Sequence, residues 1–161
     1  MTAQTSAFTT RDGTRIAYTL HGDPGAKARV AMIHSLAMNG AYWRRVAERL
    51  TGQGVCALAI DCRGHGESDK PAGPYTVDLF AGDLAQLFDH LGWDKAVIAG
   101  SSMGGSVALA FAVNHPARTA GLALIDTTSC YGEDAPKAWE QRASAALEKG
   151  LSSLIDFQLT R

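Results

Sequence analysis

Long apolar runs are missing from this sequence: none approaches the roughly 20 residues that a membrane-spanning helix needs. Charge of either sign is not in excess. Fifteen Lys and Arg stand against 16 Asp and Glu, a formal net charge of -1, so nothing in the balance draws the chain to nucleic acid or an anionic lipid surface. Cysteine is scarce and odd in number: Cys56, Cys62 and Cys130. Three thiols build no disulfide framework, their spacings fit no zinc motif, and a reduced, cytoplasmic setting is expected. The opening stretch "MTAQTSAFTTRDG" lacks the basic-then-apolar layout of a secretory leader. Repeats and low-complexity segments are also missing.

What is present is an alternation. "RIAYTLHG" from Arg15 reads as an early strand. "VAMIHS" (30–35), "CALAID" (56–61), "AVIAGS" (96–101) and "GLALID" (121–126) are short, apolar and bounded by polar residues or glycine. Such runs predict strands buried on both faces. Helical candidates lie between them. "YWRRVAERLTGQG" puts Trp43, Val46, Ala47 and Leu50 on one face and stops at glycine. "TVDLFAGDLAQLFDHLG" does the same with Leu79, Phe80, Leu84, Leu87, Phe88 and Leu91, and "GGSVALAFAVNHP" stops before Pro116. Strand, helix, strand, helix predicts an α/β fold with a mostly parallel sheet flanked by helices. From 134 to 159 the pattern is helical only, with Trp139, Ala143, Ala146, Leu147, Leu151, Leu154 and Ile155 at spacings of three and four. The strand 121–126 reads as an apolar edge with no charge or proline to blunt it, so the helical tail or another chain is expected to cover it.

Chemistry concentrates in "AVIAGSSMGGSVA" (96–108). Gly100-Ser101-Ser102-Met103-Gly104 fits G-x-S-x-G, with a strand before it and a helix after it. A serine on so sharp a turn projects its hydroxyl clear of the backbone. The next amide, on Met103, falls at a helix N-terminus, where a developing oxyanion is favoured. A phosphate-binding loop is excluded, because Ser106 rather than Lys follows Gly105. Ser101 reads as a packing or hydrogen-bonding residue of the turn.

Two further stretches complete the pattern: "MIHSLAMNGAYW", with His34 at a strand end, and "AIDCRGHGESDKP", with Asp61, Arg63, Gly64, His65, Gly66 and Ser68. With "GSSMGG", and in this order and spacing, they resemble the α/β-hydrolase family over about Arg15 to Asp126. "HSL" in place of the commoner His-Gly start resembles the 3-oxoadipate enol-lactonase branch, and "AWEQRASAALEKG" is similar to that branch's cap helices. The resemblance implies the first six strands of the fold, then the beginning of a helical cap: a core portion at 1–128 and cap residues at 129–161. It implies Ser102 as nucleophile on a nucleophile elbow. Met103 N–H and Leu36 N–H are implied as the oxyanion hole, with Ser35 beside it. Ser35 and Ala37 depart from the glycines many members carry. Ser35, Trp43, Cys130 and Trp139 are the candidate pocket residues. Against that, Trp43 reads rather as core and Cys130 rather as a small buried hydrophobe. No metal or organic cofactor is implied.

The acid and base remain. Asp126 ends a strand on the carboxyl edge, where ligands bind in α/β sheets. Some lipases of the family take their acid there and most members take it from the next strand, so Asp126 stays open between acid and structural residue. Serine needs a base, and the family order is Ser, acid, His. After Ser102 stands one histidine, His115, at the far end of the helix that starts at the nucleophile. His34 precedes the oxyanion loop, His65 reads as a loop holder, and His21 and His90 read as surface. The expectation is therefore the N-terminal portion of a serine esterase or lactonase, inactive alone. A second polypeptide, arising by proteolytic nicking, a split gene or a designed split, would bring the remaining strands, an acid and a His. The alternatives are a non-catalytic remnant that binds a small acyl ligand, and a C–C bond hydrolase or perhydrolase on the same site.

Overall fold

A computed structural model describes residues 3–155. Six strands and four α-helices run in chain order: β1 (Ala3–Thr9), β2 (Arg15–His21), β3 (Arg29–Ile33), α1 (Arg44–Thr51), β4 (Cys56–Ile60), α2 (Val77–Leu91), β5 (Ala96–Ser101), α3 (Met103–Asn114), β6 (Thr119–Ile125) and α4 (Ala135–Lys149). Two compact units divide the chain after Thr128. The first holds one sheet of order β1-β2-β4-β3-β5-β6. β1 and β2 form an antiparallel hairpin, β2 meets β4 antiparallel, and the rest of the sheet is parallel.

The apolar runs are continuous because both faces of the central strands are covered. Along β4, Cys56, Leu58 and Ile60 join one core cluster and Ala57 and Ala59 the other. The first cluster also takes Phe80, Leu84, Leu87 and Phe88 of α2 and Val107 and Phe111 of α3. The second takes Trp43 and Ala47. Alternate side chains of one strand therefore feed two cores. The ends of α2 are set locally: the Thr76 hydroxyl accepts from Leu79 N–H at 3.1 Å, and Gly92 closes the other end in the left-handed region.

Three expectations change. Gly40–Trp43 forms a separate 3-10 turn, so Trp43 leaves α1 and Val46 is exposed. The helical run expected over 134–159 breaks at Gly150 (φ 78°) and resumes as a 3-10 turn over Leu151–Leu154, while 156–159 lie outside the described residues. β6 is not buried on both faces: Leu122, Leu124 and Ile125 are 41, 43 and 41% exposed, because no described strand pairs with its outer edge. β1, for which the polar opening gave no strand pattern, is held by its register with β2.

Candidate active site

Strand register brings three strand ends together. Ile33 pairs with Gly100, Gly100 with Leu124, and Ser101 with Ile125. The residues that leave these strands therefore share one edge of the sheet: the Ser35–Met38 turn, Ser102 and Asp126. Each of these places has a non-glycine residue with positive φ: Ala37 at 62°, Ser102 at 51° and Asp126 at 48°. Such backbone costs about 1–3 kcal/mol per residue and persists only where the surroundings enforce it.

The surroundings of Ser102 do so. Its N–H donates to Ile125 O at 3.0 Å. Its carbonyl accepts from Gly105 N–H and from the Thr127 hydroxyl, both at 2.9 Å. None of these bonds uses the half-buried side-chain hydroxyl. Strand and helix pass at backbone contact: a Cβ on Gly100 would strike the Gly104 carbonyl, and one on Gly104 would strike the Ile33 carbonyl. Met103 is the first residue of α3, so its N–H has no acceptor within the helix.

Opposite stands the turn after β3. Met38 N–H donates to Ser35 O at 3.2 Å, with Ala37 at the position that favours glycine. Leu36 N–H, inside the turn, makes no hydrogen bond among the described residues. Asp61 anchors this loop and the next one: its carboxylate accepts from Gly40 N–H at 2.6 Å and Glu67 N–H at 2.8 Å. Arg63 is locked beneath. It donates to Asp83 at 2.7 and 2.6 Å and to Asp12 at 2.9 Å. The Asp83 carboxylate holds the guanidinium pKa above its ordinary value, and the Thr10 hydroxyl, then Arg63, hold Asp12 well below the usual carboxylate range.

The histidines occupy other posts. His34 is fully buried: Nδ1 lies 2.8 Å from Ser35 O, and Cys62 N–H donates to Nε2 at 3.1 Å. Burial holds its pKa below 6.5. His65 lies 4.9 Å from the His34 ring, with Nδ1 3.2 Å from Arg63 O. His90 stacks on Phe8. His21 ends β2, with its pKa lowered by burial. His115 is the C-cap of α3, about 20 Å along the helix from Ser102. Among the described residues, no histidine hydrogen-bonds Ser102. Asp126 is exposed and makes no hydrogen bond or ion pair among the described residues. Burial pushes the Cys62 thiol up to about 12, which disfavours the nucleophilic thiolate.

Trp43, a candidate pocket residue, is buried. Its ring is buried in the core with Val30, Met32 and Ala99, because the 3-10 turn rotates it inward. That rotation exposes Tyr42, whose hydroxyl lies 3.4 Å from Ser101 Oγ, next in the chain to Ser102. Helical spacing singles out the neighbouring tryptophan instead. Ser35 is half-buried at the turn and Leu36 is exposed. In the second unit Cys130 is exposed rather than buried, and its sulfur accepts from Gly132 N–H at 3.4 Å. There Tyr131, Ala138, Trp139, Arg142 and Leu154 line a groove, with the Arg142 guanidinium 5.2 Å over the Trp139 ring.

A mostly parallel sheet whose fifth strand ends in a strained serine turn at a helix N-terminus defines the α/β-hydrolase architecture. The model of the alpha/beta hydrolase fold family matches residues 29–160, and the chain belongs to that family. It is 32% identical to 3-oxoadipate enol-lactonase 2 of Acinetobacter baylyi, over 85% of this chain and 51% of that protein. It is also 32% identical to a putative carbamate hydrolase of Caulobacter segnis, over 89% of this chain and 54% of that one. The crystal structure of the enol-lactonase from Burkholderia xenovorans superposes with TM-score 0.88 at 32% identity, covering 97% of this chain and 59% of that one. The chain thus spans about half the length of the curated relatives it matches. No helix among the described residues is long and apolar enough to cross a membrane.

Proposed function

We propose that this chain carries the nucleophile half of a serine hydrolase that acts on carboxylic esters or enol-lactones in the cytoplasm. One observation carries the reading: Ser102 sits in a strained turn whose backbone is fully held while its hydroxyl makes no hydrogen bond among the described residues. In the reaction, Ser102 Oγ attacks the acyl carbon and its proton passes to a histidine. Met103 and Leu36 N–H hold the resulting oxyanion. The intermediate collapses, the leaving oxygen takes the proton, and the acyl group stays on Ser102. Water then attacks the acyl carbon while the same histidine takes its proton, and on collapse the histidine returns that proton to Ser102 Oγ as the acyl–oxygen bond breaks and the acid leaves. The similarity to enol-lactonases supports a cyclic enol ester as substrate.

The histidine and its carboxylate partner come, in this proposal, from a second polypeptide. The five histidines of this chain support it, since none bonds Ser102 among the described residues. So does the outer edge of β6, where Leu122, Leu124 and Ile125 offer an apolar strand for pairing. The partner therefore adds strands to that edge. Mass measurement of the native sample, before and after denaturation, tests the pairing. A complex that separates into this chain and a second polypeptide is expected, with ester turnover that Ser102→Ala abolishes. A lone 17.0 kDa species with enzyme-like turnover overturns it.

A further inference from the structure

The His34 ring holds a carbonyl on one side and an amide on the other, and these partners fix its chemistry. A carbonyl oxygen only accepts, so Nδ1, 2.8 Å from Ser35 O, carries the hydrogen. A backbone amide only donates, so Nε2, 3.1 Å from Cys62 N, offers its lone pair. The ring is thus neutral, in one tautomer and fully buried. His65, Asp61, the Ser35 carbonyl and the Cys62 amide are the groups that face it, and burial, with His65 nearby, outweighs the Ser35 hydrogen bond and the attraction of Asp61.

The consequence falls on the next peptide. In a trans peptide the C=O of Ser35 and the N–H of Leu36 point in opposite directions. Ser35 O takes two donors, His34 Nδ1–H and Met38 N–H. The peptide plane is therefore clamped with its carbonyl toward the buried ring and Leu36 N–H facing away from it. The base of the turn is also fixed against the elbow, because Gly104 lies in backbone contact with the Ile33 and His34 carbonyls. Cys62 N–H, just past β4, anchors the ring's far side.

We propose that His34 is a positioning residue: it clamps the Ser35–Leu36 peptide so that Leu36 N–H points at the oxyanion formed over Ser102. This rests on the hydrolase reading above. The residue touches no substrate and transfers no proton. The clamp also accounts for how Ala37 is kept at φ 62° without a glycine.

Two substitutions divide the ring. His34→Asn keeps a donor near the Nδ1 position and loses the acceptor; His34→Gln keeps an acceptor near Nε2 and loses the donor to Ser35 O. In the assembled hydrolase with p-nitrophenyl acetate, His34→Gln should lower kcat by about 100-fold, as loss of one oxyanion donor does, with KM nearly unchanged. His34→Asn should retain most of kcat. Equal losses in both variants, or none in His34→Gln, overturn the proposal. If Ser102→Ala leaves turnover intact, the hydrolase reading itself fails, a separable result. A readout independent of activity and of variant folding is the 15N spectrum of the 161-residue chain: a protonated Nδ1 and a bare Nε2 on His34 are expected. The reverse tautomer, or a titrating ring near pH 6.5, contradicts the clamp.

Discussion

At the scale of single residues, the site is a set of backbone conformations that side chains normally avoid. Ala37 is the simplest to test. A left-handed alanine costs about 1–2 kcal/mol, and glycine at the same place gives back about 0.5–1 kcal/mol in chain entropy. Ala37→Gly should therefore raise stability by up to about 1.5 kcal/mol, read as a higher denaturant midpoint. A loss of stability would mean the methyl is used in packing. The depressed pKa values of His34 and His21 give a pH dependence. Unfolded, both rings take a proton near pH 6.5; folded, they take it only at lower pH. Their neutral burial is thus fully tolerated above pH 6.5, and stability falls as pH drops below it. Denaturation between about pH 7.5 and 5 should show that fall, and His34→Gln should reduce it. Ser102 and Met103 are legible at this scale because glycine spacing is written in the chain. The His34 clamp is not, since a sequence does not say which way a ring's two nitrogens face. Asp126 is not legible for the same reason: its positive φ, and a carboxylate unbonded among the described residues, are properties of the fold.

At the scale of elements, Arg63 joins three pieces that are distant in sequence: the β1–β2 turn through Asp12, the loop after β4, and α2 through Asp83. Arg63 and Asp83 side chains are 5 and 3% exposed, so the pair lives where water does not reach. Arg63→Met leaves a buried carboxylate unpaired and should cost about 3–5 kcal/mol in urea denaturation. The Asp12 side chain is 51% exposed, and Asp12→Asn should cost far less, since exposed pairs contribute about 1 kcal/mol or under. An equal cost for both would show that the buried pair is not what holds the loop. The β5–α3 contact is stricter: Gly100→Ala forces a methyl into the Gly104 carbonyl, and soluble, stable variant protein would contradict the close approach. Elements with a clear period are legible in their ends as well: α2 starts after Thr76 and stops at Gly92, as caps and stripe predict. The start of α1 is not legible, because a 3-10 turn has three residues per turn, which moves Trp43 into the core and Tyr42 out. The tail departs from its stripe because Gly150 interrupts a pattern that the spacing alone carries through.

At the scale of the molecule, the sheet has unlike edges. β1 is polar and pairs with β2 along its whole length; β6 is apolar and outermost among the described strands. The alternation of runs makes the parallel sheet legible, and the edge shows as an apolar run without gatekeepers. β1 stays hidden in the sequence because its side chains carry no buried stripe: five of its seven residues are exposed. The central claim is that Ser102 is a nucleophile whose base lies outside these 161 residues. The measurement that tests it most directly is the rate at which a fluorophosphonate labels Ser102, read by intact mass and peptide mapping, on the isolated chain and on the proposed assembly with a second polypeptide. The account predicts prompt labelling of Ser102 in the assembly and negligible labelling of the chain alone. Equally prompt labelling of the isolated chain would contradict it.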